Sequence, residues 1–366
     1  MPAPSPTPRP PLRRAARAAL FLALLALLLE GGARWALRSE AFLRRISSPY
    51  DEPSWRLRWW HRHQGGDEAP YRFSFDRYHP ERGWTLAANL DGVEVFDGKR
   101  LSSNSRGLRG RREYAVPKPA GVYRIALFGD SFTFGEDVSD EETFAERLES
   151  LLPGVEILNF GVHGYGHDQM LLYLREALPL YRPDVVLLGH VTDDSLRNLT
   201  GFRDFAKPRF RLVGGGLRLE GTPVPSPQEM LARRVWHSRL ADLAAMAWTR
   251  IAWRWGGREE ELDRVTGAIL SEIFREARAA GARPAVALLP VWGELGAADP
   301  APLPGERFVL SLAEREKVPC LRLRPLFLER ARLGAEFEKV GHWGALEHRI
   351  AAGGIADFLR RQGLVP

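Results

Sequence analysis

From Tyr123 onward, short apolar runs alternate with stretches of helical periodicity. Ile125 to Phe128 are four consecutive apolar residues bounded by Gly129, the pattern of a strand at 124–128 buried on both faces. A helix follows near 140–152, where Phe144, Ala145 and Leu148 repeat on one face. Val155 to Phe160 is a second strand and leads into Gly161-Val-His-Gly-Tyr-Gly166. Met170, Leu171, Leu174 and Leu178 mark a helix over 167–178, and Asp184 to Gly189 reads as a third strand. Ala285 to Pro290 and Pro319 to Leu323 supply a fourth and a fifth, and Ala345 to Arg361 is a closing helix. Strand and helix in alternation predict an α/β fold, a three-layer α/β/α sandwich around a parallel sheet.

The rhythm breaks between residues 201 and 228. There Arg209 to Val213, Gly214-Gly-Gly216 and Leu217 to Glu220 predict a β-hairpin inserted near the carboxyl edge of the sheet. Helical patterns resume over 229–255 and 258–280, and Trp236, Trp248, Trp253 and Trp255 are expected to pack. Upstream, residues 41–115 are polar and aromatic with little sustained periodicity. Trp55, Trp59 and Trp60 with Gly65-Gly66, and the turn residues around Tyr78 to Trp84 and Ser103 to Arg109, predict a membrane-proximal linker and a small β-rich region.

The amino terminus has a different pattern. Met1 to Pro11 is Pro-rich and reads as disordered; Arg9, Arg13, Arg14 and Arg17 then precede the apolar run Ala18 to Leu29. Such a segment is a signal anchor or a cleaved signal peptide; the anchor is preferred because no convincing cleavage site follows. Residues 1–40 are therefore assigned to a cytoplasmic tail and membrane helix, and 116–366 to the α/β domain, outside the cytoplasm.

Composition narrows the function. Of 366 residues, 45% are hydrophobic, enough for a large core. The net charge is +6, but arginine is scattered and no nucleic-acid module is present, so nucleic acid is not an expected partner. Cys320 is the single cysteine, which rules out an intrachain disulfide. His163 and His167 lie among glycines that disfavour a helical zinc site, so no metal and no organic cofactor are expected.

The loops after the predicted strands carry the candidate chemistry. Gly129-Asp-Ser131 follows the first strand, Asn159 to Gly166 the second and Gly189 to Asn198 the third; His342 stands just before the closing helix. A serine needs a base to become nucleophilic and backbone donors to hold the oxyanion it creates. His342 is the candidate base, and Gly164 lets a backbone N–H approach without a side chain in the way. Asp130 is read as a turn-stabilising acceptor, and His190 as a packing or pocket-lining residue.

These residues resemble the SGNH (GDSL-type) hydrolases. Gly129-Asp-Ser-Phe132 is similar to the family's first block, Asn159-x-x-x-x-Gly164 to the second, and Val191-Thr-Asp-Asp194 stands where the third is expected. His342 is similar to the last. The resemblance implies a flavodoxin-like SGNH fold, Ser131 as nucleophile, His342 as general base, and an oxyanion hole from the N–H groups of Ser131 and Gly164. With the amino-terminal segment and Asn104-Ser-Arg-Gly-Leu-Arg109, it points to anchored bacterial members, some linked to polysaccharide acylation.

Two positions depart from the family pattern. Asp193 stands where an oxyanion-donating asparagine is usual, and a carboxylate there repels the developing charge; it joins the oxyanion hole only if protonated, or it turns away and Asn198 substitutes. Lys339 and Val340 occupy the places of the usual aspartate before the histidine, leaving Glu338 or Glu336 to orient the ring. The expected activity is ester hydrolysis or O-acyl transfer on an acylated, for instance acetylated, cell-envelope glycan or another ester. The alternative is a catalytically impaired relative that binds a glycan or an assembly partner. Oligomeric state is left open.

Overall fold

A computed structural model describes residues 11–48, 51–63, 69–232, 237–255, 257–296, 299–338 and 341–366. The Pro-rich residues before Pro11, Gly65-Gly66, Trp236, Lys339 and Val340 lie outside the described residues.

Five strands form one sheet: β1 (Tyr123–Gly129), β2 (Val155–Gly161), β3 (Val185–His190), β4 (Arg283–Leu288) and β5 (Cys320–Arg322). Their order is β5-β4-β3-β1-β2, and every pairing is parallel. The principal helices are α1 (Pro11–Ala36), α2 (Phe144–Leu151), α3 (His167–Tyr181), α4 (Arg239–Arg254), α5 (Gly257–Ala279), α6 (Pro304–Arg315), α7 (Arg324–Arg332) and α8 (Ala345–Arg361). Both faces of the sheet are covered, which is why its strands read as unbroken apolar runs. Ala126, Phe128, Leu158 and Phe160 face α3 and α5, while Ile125, Leu127, Val155 and Ile157 face α2 and α8. The chain thus forms the three-layer α/β/α sandwich.

Strand order reverses direction between β1 and β3, so their outgoing loops diverge and leave a crevice at the carboxyl edge. Ser131 follows β1 there, and Val191 to Asp194 follow β3. At the opposite edge the buried Arg124 is satisfied by Glu156 at 2.6 Å and by the carbonyls of Tyr181 and Ala115.

Residues 71–109 form two small antiparallel hairpins, Asp76–His79 with Gly83–Leu86 and Val93–Val95 with Lys99–Leu101. They pack onto the site edge through Phe75, Leu86 and Leu101 around Phe134. A third hairpin pairs Arg209–Val213 with Gly216–Glu220. Trp248 and Trp255, expected to pack, are 68% and 82% exposed instead. Leu243 and Met246, on a different face of α4, make its contact with Leu37, Leu43 and Leu57.

Helix α1 includes a 23-residue stretch, Arg14–Ala36, long and apolar enough to cross a membrane, and its leucines are exposed. Its lower end is tied to α4: the Glu30 carboxylate accepts the Arg239 and Leu240 N–H groups at 2.9 and 3.0 Å and the Ser238 hydroxyl at 2.8 Å. A carboxylate at a helix start satisfies donors that have no partner within the helix.

Candidate active site

Asp130 shapes the turn that presents Ser131. Its Oδ1 accepts the Phe132 N–H at 2.9 Å and starts the short helix Ser131–Phe134, as expected for a structural acceptor. Gly129 is needed because a Cβ there would strike the Thr133 side chain. The helix ends at Gly135, and the chain beyond it places Glu136 and Asp137 beside His342. Arg109, buried, holds this stretch by donating to the carbonyls of Phe134, Gly135 and Val138 at 3.1, 2.6 and 2.6 Å.

His342 meets Ser131 across 211 positions of sequence: its Nε2 lies 2.8 Å from Ser131 Oγ. Its Nδ1 lies 3.3 Å from Asp137 Oδ2 and 3.7 Å from Glu136 Oε1. When Nδ1–H is donated to Asp137, Nε2 is left as the acceptor for the serine hydroxyl. Burial alone would lower the His342 pKa; the Asp137 hydrogen bond and the charges of Glu136, Asp130 and Asp137 outweigh it, and the net shift is upward. The same hydrogen bond draws the Asp137 carboxyl below its usual range.

The ring is therefore faced by Asp137, a residue the sequence reading did not select, and not by Glu338. Glu338 packs at the start of α8, where its backbone N–H donates to Glu347 at 2.9 Å. Asn198 is likewise turned away from Ser131. Its Nδ2 donates to Thr266 Oγ1 at 3.0 Å and to His167 Nδ1 at 3.2 Å, and it is fully buried. Asp193 lies exposed at the rim of the site.

Gly164 has φ +76°, a region that favours glycine, and a Cβ there would collide with the Tyr71 hydroxyl. The backbone N–H groups of Ser131 and Gly164 have no hydrogen-bond partner among the described residues. Both residues line a cavity of about 160 Å³ with His342, Tyr71, Asp193 and the arginines 72, 197 and 203. A hydroxyl beside an imidazole, backed by a carboxylate and facing unpartnered N–H groups, can form and break an acyl ester.

The other histidines are engaged elsewhere. His163 Nε2 is 2.7 Å from Asp76 Oδ1, both fully buried, and His167 Nε2 is 2.8 Å from His190 Nδ1. His190 is therefore a packed partner of His167 and not a lining residue. Glu136, Asp137 and His342 bring ligand-type atoms within 4.8 Å of one another. Arg72 pairs with Glu136, and His342 faces Asp137.

The chain resembles the SGNH (GDSL-type) hydrolases. The resemblance rests on the sheet order, the serine after β1, the glycine loop after β2 and the histidine before α8. No family model matches the chain, and no curated protein does. Among solved structures it is similar to a member of the lipolytic protein G-D-S-L family from Veillonella parvula, at 13% identity and TM-score 0.39 over 66% of this chain and all of that one. It is similar to the psychrotrophic esterase EstA from Pseudoalteromonas sp., at 12% identity and TM-score 0.40 over 66% and 98%. A two-domain esterase active on acetylated mannans overlaps at 14% identity and TM-score 0.39, over 68% of this chain and 52% of that one.

Proposed function

We propose that this chain is a serine-dependent carboxylic-ester hydrolase or O-acyltransferase, with Ser131 as nucleophile. The observation that carries the reading is the 2.8 Å contact between Ser131 Oγ and His342 Nε2. In the first half-reaction, Oγ attacks the ester carbonyl carbon while His342 Nε2 takes the hydroxyl proton. The carbonyl oxygen becomes an oxyanion held by the N–H groups of Ser131 and Gly164. The C–O bond to the alcohol then breaks, and the proton passes from Nε2 to the leaving alkoxide. In the second half, water or a sugar hydroxyl gives its proton to His342 Nε2 and attacks the acyl carbon; the bond to Ser131 Oγ breaks, and Nε2 returns the proton to Oγ. Asp137 holds the ring and stabilises the imidazolium that forms in both halves.

The volume of about 160 Å³ suits a small acyl group such as acetyl, since pockets for drug-sized ligands are roughly 300–1,000 Å³. The exposed leucines of α1 favour an anchored chain with the α/β domain on the extracytoplasmic side, where an acylated envelope glycan is the fitting substrate. The test is release of p-nitrophenol from p-nitrophenyl acetate by wild type and by Ser131→Ala. Turnover confined to wild type supports the reading, and equal rates reject it. Extraction of membranes at alkaline pH tests the anchor: an integral chain stays in the pellet and a secreted one does not.

A further inference from the structure

The two backbone N–H groups leave the oxyanion one donor short of the family's arrangement, because Asp193 replaces the usual asparagine and Asn198 is turned toward Thr266 and His167. Arg197 lines the cavity, but its Nη1 is held by the Tyr165 carbonyl and Asp194, each at 2.6 Å. A hydroxyl from outside the sheet domain lies at the same cavity. Tyr71, 2% exposed, lines the cavity with Ser131 and lies against Gly164 so closely that no Cβ would fit between them.

We propose that the Tyr71 hydroxyl is a catalytic residue that donates the third hydrogen bond to the oxyanion. This rests on the ester chemistry proposed above for Ser131. The hydroxyl oxygen already accepts from Arg203 Nη1 at 2.9 Å, while its own proton has no acceptor among the described residues. Arg203 is itself held by Asp204 at 3.3 Å, which fixes the direction of that first bond. A phenol that accepts from a cation becomes a stronger donor on its other side. Burial raises the Tyr71 pKa, so the phenol keeps its proton at any working pH.

The ring is fixed as a preorganised donor must be. Tyr71 stacks on Trp84, with centroids 4.7 Å apart and planes at 21°. Trp84 Nε1 in turn donates to the carbonyl of His163, the residue before Gly164, at 3.0 Å. The region ahead of β1 thus sets both the phenol and the glycine loop it faces. In the reaction the Tyr71 O–H bond stays intact; the hydrogen bond tightens as the carbonyl oxygen gains charge and relaxes when the carbonyl re-forms.

Tyr71→Phe removes the hydroxyl and keeps the ring. Steady-state kinetics on p-nitrophenyl acetate and on its thionoester, in which C=S replaces C=O, read the interaction, because sulfur is a poor hydrogen-bond acceptor. The expected result is a fall in kcat of about a hundredfold on the oxygen ester, in line with loss of one oxyanion donor. KM and melting temperature stay near wild type, and the fall on the thionoester is about tenfold smaller. A kcat within about threefold of wild type overturns the assignment, as does an equal loss on both substrates. With Ser131→Ala inactive, either result leaves the serine chemistry standing. A wild type no faster than Ser131→Ala overturns both proposals.

Discussion

Asp137 Oδ2 lies 3.3 Å from both the Nδ1 and the backbone N–H of His342, although 205 positions separate the two residues. The acid that faces the histidine therefore comes from the serine's own turn, six residues after Ser131, and not from the stretch before the histidine. Gly135 makes this geometry by ending the short helix in a left-handed conformation, φ +86°.

Asp137→Asn is expected to lower kcat about ten- to a hundredfold. That is less than the roughly 10⁴ seen when a fully buried orienting carboxylate is lost, because the Asp137 side chain is half exposed and Glu136 stands behind it. The free base form of His342 is the active one, so its raised pKa places the acid limb of the kcat/KM profile above the ordinary histidine value of about 6.5. Removing the Asp137 charge weakens the hold on the imidazolium and moves that limb to lower pH. Glu338→Gln is expected to leave kcat/KM within about twofold. A loss confined to Glu338→Gln contradicts this pairing.

Arg109 joins the region ahead of β1 to the turn that carries Asp137. Burial pushes its pKa down to about 10, still cationic at neutral pH. Arg109→Lys cannot reach three carbonyls and Asp140 at once and leaves buried acceptors unpaired, a cost of about 2–4 kcal/mol. Chemical denaturation should show that loss, together with a lower kcat. Unchanged stability would mean that the turn holds its shape without the arginine.

Gly164→Ala combines a positive φ with a collision at Tyr71. The strain is about 1–3 kcal/mol, relieved only if the loop or the phenol moves. Either movement disturbs the oxyanion site, so kcat should fall by about a hundredfold or more while secondary structure by circular dichroism is kept. An active Gly164→Ala variant would remove this loop from the account.

His348 is fully buried, with Nδ1 accepting the Phe144 N–H at 3.1 Å. Burial, with the charges of Arg109 and Arg147, pushes its pKa down to about 3. Its folded pKa is thus below the unfolded value of about 6.5, so its contribution is complete above pH 6.5 and shrinks as acid protonates the unfolded chain. The slope is about 1.4 kcal/mol per pH unit. His348→Asn lacks this dependence, so the stability gap between wild type and variant should narrow from pH 7 to pH 5. A constant gap in urea titrations contradicts a neutral buried imidazole.

The sheet was legible because its strands are buried on both faces and read as runs such as Ile125–Phe128, bounded by glycine or polar residues. The serine, the glycine loop and the histidine were legible because each stands at a boundary where a strand or helix pattern starts or stops. Asp137 had a weak local signal, the acidic pair after Gly135, but its meaning depends on a left-handed turn that spacing alone does not reveal. Glu338 and Asn198 stand near the expected positions in sequence, but contacts with Glu347, Thr266 and His167 hold them elsewhere. Tyr71 had no signal at all. It comes from an aperiodic stretch and is held at the cavity by tertiary contacts, among them stacking on Trp84 and the hydrogen bond from Arg203.

The most direct measurement is intact-mass analysis of the full chain after reaction with a fluorophosphonate, followed by peptide mapping. One phosphonyl group per chain, mapped to Ser131, lost in Ser131→Ala and slowed at least a hundredfold in His342→Ala, is the predicted result. A folded wild type that takes up no label, or takes it up equally without His342, would contradict a nucleophile made by the Ser131–His342 contact.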